Sequence, residues 1–391
     1  MNEPGKQCPK CGLIQSPALR CKICGTLMRS PTFLFESPKP SSSHPSPSDE
    51  PMDIDVFLRE ESPSPEAISF VDNPEDLGPA YRLTFHGSGG ALFGIYVRNL
   101  FFTFITLGVY YFWGKAKVRG YLIGNTEFLG DRLAFHGTGR ELLAGSGKAF
   151  FIFALPLALL NSLPGLLKLG PIFEIGAQGL TSLAVLILIP FAMVTSFRYR
   201  LTRTSWREIR FSFWGKSSEF MRIFLGGLIL TVFTLGLYYP FFLANNYAFM
   251  VSHTHFGNHS FKFTGHGRDL YGAFLRALAL TIPTLGLCWF WFSARKQCYF
   301  WERTAFGKTQ FRSTVTGKGL LRLNLFNLLL LIGTAGLAWP WVKIQRTRYI
   351  LENLLILGPL ELDAIQQAPQ ASTATGEGLA GFLNADFNLG S

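Results

Sequence analysis

The sequence predicts a mainly α-helical, multi-pass membrane protein with internal repeats and short β-strand elements between helices, preceded by a small N-terminal zinc-ribbon-like module. Three observations predict it. Of the 391 residues, 48% are hydrophobic and 38 are Phe, and the apolar ones gather in stretches long enough to cross a bilayer. The apolar part repeats itself: Phe85, Gly87, Gly89, Thr106, Leu107, Gly108, Tyr110, Phe135, Gly137 and Gly139 recur 128 residues later as Phe213, Gly215, Ser217, Thr234, Leu235, Gly236, Tyr238, Phe263, Gly265 and Gly267. Two C-x-x-C-G knuckles stand near the N-terminus.

Residues 1–29 carry those knuckles. Cys8, Cys11, Cys21 and Cys24 have the spacing that wraps two pairs of thiolates onto one tetrahedral Zn²⁺. The Gly after each second Cys permits the tight turn that aims backbone N–H groups at sulfur, and Lys10 and Lys22 offset the tetrathiolate charge. With all four positions filled by protein, such an ion is structural. It would supply most of the stability of a module too small for a core. A pair of disulfides is the alternative, disfavoured by the paired spacing and by a reducing compartment. The first thirty residues hold no apolar run of signal-peptide length, which predicts a cytosolic N-terminus.

Residues 30–78 are dominated by Pro, Ser, Asp and Glu, a composition that predicts a disordered acidic linker. Within it, Met52 to Leu58 sets apolar residues among acids, as a short docking motif would, although incidental hydrophobes in a solvated linker explain it more simply. Residues 79–358 form the repeat-built membrane domain, and residues 359–391 a flexible tail. The formal net charge of +11 is uneven, with the bases beside apolar stretches. That placement reads as membrane topology, and no nucleic-acid partner is predicted.

Six apolar segments are expected to span: Ala91 to Trp113, Ala149 to Leu169, Leu180 to Phe197, Met221 to Leu243, Tyr271 to Phe292 and Leu321 to Val342. Their ends carry Tyr110, Tyr111, Trp113, Tyr238, Tyr239, Trp289, Trp291, Trp339 and Trp341, followed by Lys115, Lys117, Arg295, Lys296, Lys343 and Arg346. Aromatic rings and bases in this order anchor a segment at the headgroups. The topology contains a conflict, because single crossings would alternate the basic loops between the two sides. Re-entrant turns at the Thr-x-Gly steps would resolve it, while the segment lengths suit ordinary spans.

Between the apolar segments, Gly130 to Gly139 is matched by Gly257 to Gly267 and more loosely by Gly307 to Gly319. Alternation there predicts short strands, and the Gly-x-Gly that follows predicts a turn into the next helix in preference to a phosphate loop. The F-H-G-x-G lead at Phe85, the run Thr106 to Lys115, the run Phe135 to Leu142 and the T-L-G-L steps resemble the YjgN-like family of bacterial inner-membrane proteins, a domain of unknown function. The resemblance covers roughly Pro79 to Ser391. It implies an inner-membrane location and brings no established activity, substrate or catalytic residue.

His86, His136 and His266 lie beside the Gly-rich turns, and His253, His255 and His259 cluster in one loop. Metal or proton chemistry there is set against interfacial or structural histidine, which the lack of a constant set across repeats favours. Glu141 and Asp269 occupy equivalent positions suited to capping the helices that follow. No nucleophile elbow, Walker loop, H-E-x-x-H or acid pair occurs, which disfavours an enzyme without assigning an activity. Two classes remain: a transporter- or channel-like protein built from duplicated units, and a membrane scaffold or sensor that recruits a cytosolic partner through its zinc module and linker. The lipid bilayer is the one partner common to both.

Overall fold

The structure is a computed structural model that describes residues 6–7, 14–15, 78–360, 365 and 367. Two units, Met1–Glu66 and Ala67–Ser391, are described separately. In the first, β1 (Lys6–Gln7) and β2 (Ile14–Gln15) pair antiparallel, with Lys6 opposite Gln15. They flank Cys8 and Cys11 in the chain. All four cysteines, the docking motif, residues 30–77 and residues 361–391 apart from Ile365 and Gln367 lie outside the described residues.

The second unit runs five times through one element order: strand, helix, helix, strand. The first module is β3 (Ala80–Phe85), α1 (Gly89–Ile105), α2 (Tyr111–Gly124) and β4 (Thr126–Phe128). The next enters on β5 (Asp131–Arg132) and β6 (Ala134–Phe135). It continues through α3 (Gly139–Ala149), a π-helical turn at Phe150–Ala154 and α4 (Leu155–Leu166), and returns along α5 (Pro171–Thr202) to β7 (Thr204–Trp206). The third comprises β8 (Ile209–Phe213), α6 (Ser217–Phe233), α7 (Tyr239–Ser252) and β9 (Thr254–Phe256). The fourth comprises β10 (His259–Phe263), α8 (Gly267–Leu280), α9 (Cys288–Glu302) and β11 (Thr304–Phe306). The last is β12 (Thr309–Ser313), α10 (Gly317–Gly333), α11 (Trp339–Glu352) and β13 (Leu354–Leu357). Phe85, Phe135, Phe213, Phe263 and Ser313 end the entering strands at steps of 50, 78, 50 and 50 residues. The 128-residue offset therefore holds two modules, of which the second is extended in its helices.

All strands of these modules belong to one 11-stranded antiparallel sheet, ordered β5-β4-β3-β13-β12-β11-β10-β9-β8-β7-β6. The last strand pairs with the first, Leu355 opposite Arg82 and Leu357 opposite Ala80. The two edge strands are halves of one short segment interrupted at Leu133: Asp131 and Arg132 pair with β4, Ala134 and Phe135 with β7. The sheet therefore bends round into a ring, and its exposed edges shrink to that single break.

This architecture corrects the expected one. A mainly α-helical multi-pass protein, with strands serving only to join six spanning helices, is not what the chain forms: the strands make a near-closed barrel-like sheet. Among the described residues only Gly139–Leu166 and Pro171–Thr202 are both long and apolar enough to cross a membrane. The other expected spans are helical hairpins. Ala91 to Trp113, for example, contains most of α1, a reversal at Thr106 to Tyr110, and the start of α2. Apolar composition alone cannot distinguish one span from a helix that turns back, because both satisfy the same hydropathy window.

Small residues set how closely the modules pack. The ring of Phe135 folds back over Gly137, where an added Cβ would lie 2.5 Å from Phe135 Cζ; Phe213 covers Gly215 likewise, at 2.7 Å. Phe85 and Gly87, and Phe263 and Gly265, make the same pair. In the fifth module the volumes are exchanged: buried Ser313 stands where the others have Phe, and buried Val315 where they have Gly. Between modules, Gly139 lies under Trp113 and Gly317 under Trp291, where a Cβ would come within 2.5 and 2.7 Å of the indole. Trp341 of the last module covers Gly89 of the first, which closes the sequence of contacts. Overpacking at such positions costs about 1–3 kcal/mol. Gly265→Val should therefore lower stability by about 2 kcal/mol, and Phe263→Ser should partly restore it in the double variant, as the Ser313 and Val315 pair suggests. Unfolding of the four proteins of that cycle checks this; strictly additive losses would mean that the two side chains do not share one space.

Candidate functional site: an apolar crown on the helical ring

The helices form a ring of their own. Each packs against its predecessor and successor in the chain, and α11 packs against α1. Every helical hairpin leaves from the strand ring and returns to it, so the turns between paired helices stand at the far end of the ring. Four of them are built on Thr-x-Gly.

At these turns the first helix ends with two successive residues of positive φ: Leu107 and Gly108, Leu235 and Gly236, Leu285 and Gly286, Ala335 and Gly336. The glycine N–H reaches back to the helix, Gly108 to the Thr103 carbonyl at 2.7 Å and Gly236 to Thr231 at 2.7 Å, in the manner of a left-handed helix cap. The threonine hydroxyl then serves both helices. Thr106 Oγ1 donates to the Phe102 carbonyl at 2.7 Å and accepts from the Tyr110 N–H at 2.9 Å. Thr234 bridges Leu230 and Tyr238, and Thr334 bridges Leu330 and Ala338, over similar distances. One short polar side chain satisfies an orphan carbonyl and an orphan amide at a point where the chain reverses.

Around these turns the surface is apolar. Leu107, Leu235 and Leu285 are 94, 94 and 93% exposed, and Phe104, Phe233, Ile282, Leu329 and Ile332 are exposed beside them. An exposed apolar surface that recurs round a whole ring marks an interaction face. No charged residue occurs between Arg98 and Lys115, Arg222 and Lys262, Arg276 and Arg295, or Arg322 and Lys343, so the crown carries no charge at these four turns. Bases follow on the returning helices: Lys115, Lys117, Arg295, Lys296, Lys343 and Arg346. Lys117 Nζ donates to Tyr110 Oη at 2.6 Å. Trp113, Trp291 and Trp341, expected as interfacial anchors, contact the start of the next module, although Trp291 and Trp341 keep exposed faces.

The second module differs. Its helices of 28 and 32 residues measure about 42 and 48 Å at 1.5 Å per residue, beyond the hydrocarbon thickness of about 30 Å. The 17-residue α1, α6 and α10 reach only about 25 Å. Its turn lacks Thr-x-Gly and carries Lys168, with Glu174 in the first turn of α5.

At the strand ring, apolar side chains from successive strands converge. Phe128, Trp206, Phe256 and Phe306 follow one another at ring separations of 5.1, 5.9 and 6.2 Å. Ile365 from the C-terminal segment is buried in the same cluster. The Arg210 N–H donates to the Gln367 side-chain carbonyl at 2.7 Å, and the Thr309 hydroxyl donates to the Pro359 carbonyl, tying that segment across the ring.

The titratable side chains singled out in the sequence do not gather into a reaction centre. His86 pairs with Glu127 at 3.0 Å, His136 shares a 2.7 Å hydrogen bond with the Ser205 hydroxyl, and His253 Nδ1 contacts its own helix at the Phe249 carbonyl. His255 contacts the His253 carbonyl, and the His259 ring packs by Phe306. Among the described residues no three His, Cys, Asp or Glu side chains are placed to hold a metal ion. Glu141 and Asp269 begin α3 and α8 and bind the far end of their own module. Tyr199 donates to Glu141 at 3.1 Å while Arg203 grips the same carboxylate at 3.1 and 3.0 Å, and the Tyr299 hydroxyl donates to Asp269. Burial, together with the Asp269 hydrogen bond, pushes the Tyr299 phenol up to about 12. These clasps hold the two helices of a hairpin together at the strand end. The Thr hydroxyl bridges and Ile365 were not recognised from sequence; the 50-residue step from Phe85-x-Gly to Phe135-x-Gly, repeated from Phe213 to Phe263, was the available signal for the modules.

Fold and crown together define a class: a ring of helical hairpins on a ring of strands, with its apolar face at the hairpin turns. The chain belongs to the family described as bacterial protein of unknown function (DUF898), which matches residues 80–290 and 278–382. It is similar to the inner membrane protein YjgN of Escherichia coli O157:H7, 32% identical over 136 residues, covering 34% of this chain and 31% of that protein. The same protein of Escherichia coli strain K12 is 31% identical over 136 residues, and that of Salmonella typhimurium 32% over 135, with the same coverage. The chain thus spans about a third of the length of the curated relatives it matches, and their inner-membrane designation supports a membrane location here. No solved structure matches.

If the crown faces lipid, cysteines placed at Leu107, Leu235 and Leu285 in an otherwise cysteine-free chain should resist a water-soluble maleimide in membranes and react once detergent is added. A cysteine at exposed Lys262 should react in both. Equal labelling at all four positions would place the crown in water.

Proposed function

We propose that this is an inner-membrane protein, seated in the bilayer from one side by its crown of hairpin turns, that acts as a scaffold for a cytosolic partner. The carrying observation is the exposure of uncharged apolar turns at four of the five hairpins, each with a threonine hydroxyl bridging its two helices. A membrane interior demands that combination of any chain that reverses within it. The four shorter hairpins enter and return, and the long second hairpin has the length to reach the far surface with Lys168 at its tip. Such an arrangement keeps the strand ring and the basic returning helices on the cytosolic side, which removes the conflict of charge alternation.

The scaffold reading draws support from the aromatic packing on the strand ring, where Phe128, Trp206, Phe256, Phe306 and Ile365 form one closely packed apolar cluster. A second reading, a transporter- or channel-like protein, draws support from the ring closure itself and from the C-terminal position of Ile365, where a tail could withdraw. Loss of residues 359–391 separates them. A scaffold should leave proteoliposomes tight to small ions, whereas a passage plugged by the tail should become leaky.

Topology reporters fused after Gly130, Asn258 and Lys308 should all report the cytosol, because each position lies in a turn between two strands. A periplasmic signal at any one would remove the one-sided seat.

For the N-terminal module we propose that Cys8, Cys11, Cys21 and Cys24 hold one structural Zn²⁺, with a partner bound through this module or the linker. The knuckle spacing supports the ion, as does the antiparallel pair of short strands that flanks the first knuckle. Metal analysis of the full chain under reducing conditions should find about one zinc per chain. Cys11→Ser should lose it, and an unchanged metal content would refute the assignment.

A further inference from the structure

We infer that the cleft between α9, α10 and α11 binds one anionic phospholipid, its phosphoryl headgroup held at Gln297 and Arg346 and an acyl chain lying toward the crown. The cleft has a volume of about 320 Å³. Its wall on α9 is a single helical stripe, Trp289, Phe290, Ser293 and Gln297, which covers about 12 Å of helix. Leu320, Leu323 and Asn324 of α10 and Arg346 of α11 face that stripe.

Gly286, of the hairpin turn, Trp289 and Phe290 line the crown end with apolar surface. Gln297 and Arg346 lie farther along their helices toward the strands, flanked there by Leu320, Leu323 and Ile350. The unsatisfied groups at that end are donors. Gln297 Nε2 is buried without a hydrogen-bond partner, although leaving such an amide unpaired away from water is costly. The Arg346 guanidinium has no ion-pair partner among the described residues, and its planar fork suits a phosphoryl oxygen pair. An unpaired amide and a guanidinium set among apolar side chains, with an apolar wall running on to the crown, suit a ligand that is anionic and acceptor-rich at one end and apolar at the other. Free phosphate would satisfy the donors and leave Trp289, Phe290 and Leu323 unfilled.

The orientation of this ligand rests on the membrane-seated reading; the cleft chemistry does not. The test uses the full chain, first in lipid nanodiscs and then in detergent with added short-chain lipid. Quenching by brominated acyl chains is read as the difference between the wild type and Trp289→Phe. Brominated phosphatidylglycerol should quench Trp289 well beyond brominated phosphatidylcholine at equal content. Arg346→Ala and Gln297→Leu should each weaken that preference by about tenfold, the size expected for losing a hydrogen bond to a charged group. Arg346→Lys should lose less.

Equal quenching by the two lipids, or an unaltered preference in both variants, overturns the site. Inorganic phosphate that abolishes the quenching at concentrations comparable to the lipid would identify a free-anion site and overturn the lipid assignment. If the chain does not enter nanodiscs yet shows selective quenching in detergent, the membrane seat fails while the lipid site stands.

Discussion

A helical hairpin that exposes its turn to an apolar surrounding has to reverse without stranding backbone polar groups, and the rest of this structure depends on how that is met. A single threonine at each of four turns caps the outgoing helix and starts the returning one through the same hydroxyl. The next two residues take positive φ, a strained choice for leucine and an easy one for glycine. With those groups satisfied locally, the surrounding surface can be built of Leu, Ile and Phe alone. The long hairpin, whose turn carries Lys168, lacks the device.

The ring then follows from close packing at small residues. Four of the five modules begin with a glycine under an aromatic side chain of the predecessor, Gly139 under Trp113, Gly267 under Phe241 and Gly317 under Trp291, and Trp341 over Gly89 makes the last module the predecessor of the first. Pairing of β13 with β3 closes the sheet at the same place. The fifth module shows what this packing conserves. It keeps neither Phe nor Gly but exchanges their volumes between Ser313 and Val315, since an interior near crystal density tolerates redistribution better than a change in total volume.

Polarity is layered along the four shorter hairpins as it would be along a membrane normal: uncharged turns, then aromatic rings with bases on the returning helices of three of them, then strands. The tyrosine clasps on Glu141 and Asp269 lie at the strand end, where they bind a module's outgoing and returning helices together. The proposed lipid cleft crosses these layers, with Trp289 and Phe290 toward the crown and Gln297 and Arg346 toward the strands.

Composition and short motifs alone identified an apolar, family-related chain with Thr-x-Gly steps, short strands before Gly-x-Gly turns, and acids at helix starts, because each depends on a few adjacent residues and on local backbone chemistry. They supplied the six apolar segments but not their meaning, since a span and a hairpin have the same hydropathy and differ only in whether both ends meet the same sheet. The single ring of strands was illegible for a related reason: β13 and β3 are paired across nearly the whole domain, and no local pattern encodes such a partner. Tertiary structure likewise decided that the histidines stand apart, that Trp113 and Trp341 pack on glycines of the next module, and that Gln297 and Arg346 line one cleft. Each of these depends on which side chains adjoining helices bring within reach, a distance that sequence separation does not measure.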